Sequence, residues 1–147
     1  MNRIKFPRIA ALLRLGLGAL FICASLGKIM DPANFALSID NYRMLPEFLV
    51  ALMAAVLPWL ELLCGLALVF NCWTPGASLL IFAMNAIFII AIASAMARGL
   101  DISCGCFSTS EASSRAGLAR LVEDLFFLAA AGYLYLSSIA SLQPPQR

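Results

Sequence analysis

Residues 48–98 read FLVALMAAVLPWLELLCGLALVFNCWTPGASLLIFAMNAIFIIAIASAMAR. From Phe48 to Ala97 the only charged side chain is Glu61. A helix needs about 20 apolar residues to cross a hydrocarbon core of about 30 Å. Phe48 to Phe70 and Ala77 to Ala97 each supply that length. Lipid offers no hydrogen bonds to an open backbone, so such runs read as helices. Asn71 to Gly76, NCWTPG, is an uncharged turn between them, and Trp73 there suits a membrane interface. Pro58 inside the second run is tolerated, because neighbouring helices satisfy the freed carbonyl.

The pattern extends in both directions. Upstream, Ile9 to Met30 forms a first span behind Arg3, Lys5 and Arg8. Downstream, Leu118 to Leu142 forms a fourth, with Arg120, Glu123 and Asp124 in its opening turns. The whole chain has 147 residues, 63% hydrophobic and 12% charged. Soluble domains lie nearer half apolar and a quarter charged. The expected fold is therefore all-α: one integral membrane domain over 1–147, a four-transmembrane-helix bundle with spans at about 9–30, 48–70, 77–97 and 118–142. Arg3, Lys5 and Arg8 before an apolar run also resemble a cleaved leader. Arg14 interrupts the run and its apolar stretch continues to Met30, so a retained span is expected. Ala19, Cys23 and Gly27 recur every fourth residue, a small-residue stripe suited to close helix approach.

Residues 31–46, DPANFALSIDNYRMLP, lie between the first two spans. Asp31 and Pro32 supply an N-cap and a first-turn proline. Phe35, Ile39 and Tyr42 follow at i, i+4 and i+7, while Asp40 and Arg43 point elsewhere. A short amphipathic helix on the membrane surface is expected here, ending near Pro46. Counted in full, the two sides of the membrane tie at five Lys or Arg each. The cluster Arg3, Lys5, Arg8 and Arg14 then decides orientation and favours a cytoplasmic N-terminus. Four spans return the C-terminus to the same side. The surface helix and the loop before the fourth span face outward.

That loop contains GLDISCGCFS, residues 99–108. Cys104 and Cys106 flank Gly105. The chain has no histidine, which removes the commonest general base and the commonest metal ligand. A histidine-based triad or zinc site is excluded, and no long basic run points to nucleic acid. The thiols are what remains. A bridge between residues i and i+2 strains disulfide geometry, and strained bridges are reduced more easily. Three readings stand: a redox pair exchanging with a thioredoxin-like partner, a packed or permanently bridged structural pair, and a soft-metal site for Cu(I) or zinc with Met44 and Met96 on the same side. An external loop sits in an oxidising compartment, where the first reading has chemical sense. Cys23, Cys64 and Cys72 read as small apolar residues; Cys64 and Cys72 are too distant for direct exchange with the pair, and Cys23 comes within reach only if the loop dips inward.

Ionisable groups inside spans are costly and mark function or a specific packing need. Glu61 is the clearest case. Its two readings are a proton or quinone-head contact, and a buried ion pair fixing helix packing. Arg14 and Lys28 on the first span are its candidate partners. Glu123 and Asp124 read as carboxylates favoured by a helix start, or, for Asp124, as a proton acceptor facing the CxC loop. Tyr42 is a candidate for packing against that loop.

These residues carry a resemblance. RLGLGALFICASLGKIMDPANF (14–35), IDNYRMLP (39–46), LPWLELLCGLAL (57–68) and RGLDISCGCFS (98–108) together resemble the MauE/DoxX-like family of redox-associated membrane proteins, over almost the whole chain. The family pattern at the last motif reads close to CGCFG, and Ser108 stands where glycine is usual. The Pro-x-x-Glu element, Pro58 to Glu61, also matches. The resemblance implies a four-helix bacterial inner-membrane protein linked to thiol–disulfide work, with Cys104 and Cys106 as the functional pair. It implies support for maturing a disulfide-rich client, such as the methylamine dehydrogenase small subunit. The alternative is a non-catalytic assembly subunit of a DoxX-like, quinone-linked oxidoreductase complex.

Overall fold

In the computed structural model, residues 7–99 and 113–142 are described. They form five helices: α1 (Pro7–Met30), α2 (Pro32–Asp40), α3 (Glu47–Val69), α4 (Thr74–Ala97) and α5 (Ser113–Leu142). α1, α3, α4 and α5 are each long and apolar enough to cross a membrane. The short α2 lies between the first two of these, as the sequence pattern requires.

Consecutive spans pair. α1 packs extensively along α3, and α4 along α5, while the two hairpins meet over smaller areas. The α1–α3 contact is backbone against backbone. A Cβ built on Gly18 would sit 2.9 Å from the Gly65 carbonyl oxygen, and one on Gly65 would sit 2.9 Å from that of Gly18. Only glycine permits this approach. The expected stripe of Ala19, Cys23 and Gly27 is not the contact face: all three residues are exposed, and a Cβ added at Gly27 would meet open space. Four-residue spacing occurs on every face of a helix, so the stripe alone could not identify the packed one.

Two apolar clusters lie along the bundle. One joins Leu17, Cys64, Leu68, Ala77, Ile81, Ala131 and Leu134. The other, at the α2 end, joins Tyr42, Ile92 and Ala95, with Phe88 and Leu121 packed against them. Most other large apolar side chains point outward, including Leu12, Phe48, Leu63, Ile87 and Phe126. That distribution suits a lipid-facing surface, because tails are as apolar as a core. An apolar groove of about 220 Å³ opens between α1 and α5, lined in part by Leu12, Gly16, Leu20, Phe126 and Phe127.

Local chemistry sets the helix ends. Asp31 caps α2, its Oδ1 accepting from the Asn34 amide at 3.1 Å, with Pro32 in the first turn. α2 ends at Asp40 rather than near Pro46. Arg43 then adopts a left-handed φ of 48°, and its amide donates to the Asp40 carbonyl at 2.8 Å. Tyr42 therefore sits in a turn, not on the helix. α4 begins at Thr74, earlier than the apolar run suggests, because the Thr74 hydroxyl bonds Asn71 Oδ1 at 3.0 Å and Pro75 starts the helix. Gly76 leaves room for the Trp73 indole, whose ring would lie 3.1 Å from an added Cβ.

Candidate functional site

Lys28 on α1 and Glu61 on α3 form a salt bridge inside the first hairpin. Lys28 Nζ donates to both Glu61 carboxylate oxygens at 2.7 Å. Their side chains are only 16% and 10% exposed. The register explains the pairing. With Gly18 level with Gly65, Lys28 lies ten residues beyond Gly18, and Glu61 four residues from Gly65 in the same direction. At a rise of about 1.5 Å per residue, the two Cα atoms differ by about 9 Å in height. Side chains lean toward their own helix N-terminus. The helices are antiparallel, so Lys28 leans toward Glu61 and Glu61 toward Lys28, and the gap closes.

The same geometry keeps Arg14 away. It lies four residues from Gly18 on the other side, about 12 Å from the level of Glu61, and leans further off. Its Nε is buried and has no hydrogen-bond partner among the described residues. Of the two candidate partners read in the sequence, Lys28 is the one Glu61 has. The Phe35 ring of α2 covers the ammonium, its centroid 5.0 Å from Nζ. Ser25, fully buried on α1, turns its hydroxyl back onto the Ile22 carbonyl at 2.7 Å. The pair thus ties three elements together: two spans and the surface helix. Glu61 is not part of the α1–α5 groove wall, and both its oxygens hold Lys28, which favours the packing reading over an open contact site.

A second cluster lies at the C-terminal end of α4. Arg98 Nη2 donates to the Tyr42 carbonyl at 2.6 Å, and Nη1 to the Arg43 carbonyl at 3.3 Å. Its Nε returns to the Ser94 carbonyl at 3.2 Å. The Ser94 hydroxyl in turn donates to Met44 Sδ at 3.4 Å. One guanidinium therefore joins the α2–α3 turn to the end of α4. The Tyr42 ring packs edge-on against Phe88, with centroids 6.0 Å apart. Tyr42 was expected against the CxC loop. That loop lies outside the described residues; Tyr42 joins Ile92 and Ala95 in a cluster against which Leu121 of α5 packs. The three-way role of Arg98 has no local sequence signal.

Asp124 is buried at 8% exposure, whereas Glu123 beside it is exposed and pairs with Arg120 at 3.3 Å. α5 begins at Ser113, so neither carboxylate lies in the first turn, where the helix dipole acts. The helix-start account of these two residues is therefore replaced. Asn85, which no sequence motif singles out, is also buried, near the middle of α4. An amide in a charge-free span was the available signal. Cys64 is buried, and Cys23 and Cys72 are exposed. Cys104 and Cys106 lie outside the described residues.

The family described as methylamine utilisation protein MauE matches residues 7–137. The chain belongs to the MauE family. It is similar to the methylamine utilization protein MauE of Methylophilus methylotrophus, 33% identical over 125 residues, which are 84% of this chain and 66% of that relative. The MauE of Methylorubrum extorquens is 33% identical over 73% of this chain and 58% of its own length. That of Paracoccus denitrificans is 32% identical over 69% of this chain and 55% of its own length. The chain thus spans between about half and two thirds of these relatives. No solved structure matches it.

Proposed function

We propose that this MauE-family membrane protein takes part in methylamine utilisation, and that it does so by thiol–disulfide exchange at Cys104 and Cys106. The observation that carries the reading is the Cys-Gly-Cys motif between two spans of a histidine-free chain, in a family whose relatives are named for methylamine utilisation. The pair sits on the periplasmic face of a bacterial inner membrane, with both termini cytoplasmic. A client thiolate attacks one sulfur of the Cys104–Cys106 bridge, and the other sulfur leaves as thiolate. The second client thiol then resolves the mixed disulfide. The client gains a disulfide, and the pair gains two electrons and two protons. A thioredoxin-like partner returns the pair to its oxidised form by giving up its own disulfide. The client class is a disulfide-rich secreted subunit, such as the methylamine dehydrogenase small subunit.

Alkylation of intact cells tests this. A reagent that cannot cross the inner membrane is expected to label Cys104 and Cys106 only after mild reduction. Labelling by a membrane-permeant reagent alone overturns the topology. A strain growing on methylamine with the Cys104→Ser, Cys106→Ser variant as well as with the native chain overturns the exchange chemistry. That outcome leaves a non-catalytic assembly subunit.

A further inference from the structure

The buried polar side chains are not scattered. They are Ser25, Glu61, Ser78, Asn85 and Asp124 among the described residues. Asn85 and Asp124 fall between the two apolar clusters. On α4, Asn85 lies between Ile81 of one cluster and Ile92 of the other. On α5, Asp124 lies between Leu121 and Ala131. On α3 and α1, Glu61 and Ser25 lie on the α2 side of Cys64 and Leu17. The result is a polar slab shared by α4 and α5, with apolar layers on either side.

Asn85 is 7% exposed, and its Nδ2 is buried without an acceptor among the described residues. An amide left unbonded in an apolar medium is costly, and lipid supplies no acceptor. Leucine at this position would carry no such cost. The slab's other polar groups define what fits. Asn85 Nδ2 offers a donor, and the Asp124 carboxylate offers acceptors. A species bridging them must accept at one side and donate at the other, as water does. Buried water typically makes about three such bonds to polar groups left unsatisfied by the chain.

We propose that the slab is an internal hydration site, in which a water molecule accepts from Asn85 Nδ2 and donates to a carboxylate of the same layer. It provides a proton-exchanging group deep in the bundle, and it stands independently of the thiol reading. X-ray hydroxyl-radical footprinting of the full chain in lipid nanodiscs tests it, because radicals form from the bound water itself. Met84 and Phe88, next to Asn85 in sequence and one turn along, are the reporters. Met53 on α3, half-buried and outside the slab, is the reference. Met84 and Phe88 are expected to oxidise several-fold faster than Met53 in the native protein, and to fall to its rate in Asn85→Leu. Equal rates in the native protein overturn the proposal without need of a variant. Unchanged oxidation in a folded Asn85→Leu or Asn85→Met protein overturns it as well.

Discussion

Removing one partner of the Lys28–Glu61 pair is expected to harm the protein far more than removing both. At the observed separation of 2.7 Å and an effective dielectric near 20, the attraction is about 6 kcal/mol. Most of that offsets the cost of withdrawing two charges from water. The pair therefore adds little over well-packed apolar side chains, whereas a lone buried charge costs about 3–5 kcal/mol. Lys28→Met and Glu61→Leu should each destabilise by about that amount, while the double variant should recover most of the loss. The coupling energy from the cycle should then be at least about 4 kcal/mol. The assay is reversible unfolding in mixed micelles, followed by Trp59 and Trp73 fluorescence. Single variants near native stability, with coupling below about 1 kcal/mol, would refute the claim that this is a desolvated pair holding α1 to α3.

Phe35→Leu should cost about 1 kcal/mol through the lost ring–ammonium contact, and the loss should shrink in a Lys28→Met background. Gly18→Ala should destabilise by about 1–3 kcal/mol, because its Cβ meets the Gly65 carbonyl. Gly16→Ala, with open space around the added carbon, should be neutral or stabilising by the same unfolding assay. Arg98→Gln should cost about 1.5–3 kcal/mol in lost charge-assisted bonds. It should also raise amide hydrogen exchange across residues 41–46, and unchanged exchange there would remove the guanidinium from its bridging role.

The spans were legible because fifty consecutive residues, 48–97, carry one charge and lipid allows little but helix. α2 was legible for a local reason, since Asp31 and Pro32 both favour a helix start. Its end was not. The left-handed Arg43 turn answers to Arg98, 55 residues away in sequence, and no periodicity encodes that. The charged pair was half legible: Glu61 stood out as an intramembrane carboxylate, with Arg14 and Lys28 both in range. Choosing between them required the α1–α3 register, which the Gly18–Gly65 approach sets. The small-residue stripe misled for the same reason, since spacing says which residues share a face but not what that face meets. Asn85 went unread because a single amide in an apolar run has no pattern around it.

The pairing of consecutive spans has a bearing on how the chain enters the bilayer. Lys28 and Glu61 belong to the same hairpin, so both charges emerge from the ribosome before any of α4 or α5. They can neutralise each other while the first hairpin is partitioning laterally into lipid. Neither must wait in hydrocarbon for a later helix. A chain in which Glu61 were moved to α4 would ask the insertion machinery to hold an unmatched lysine until the third span arrived. Keeping the charges within one hairpin turns a costly intermediate into an electrically neutral one.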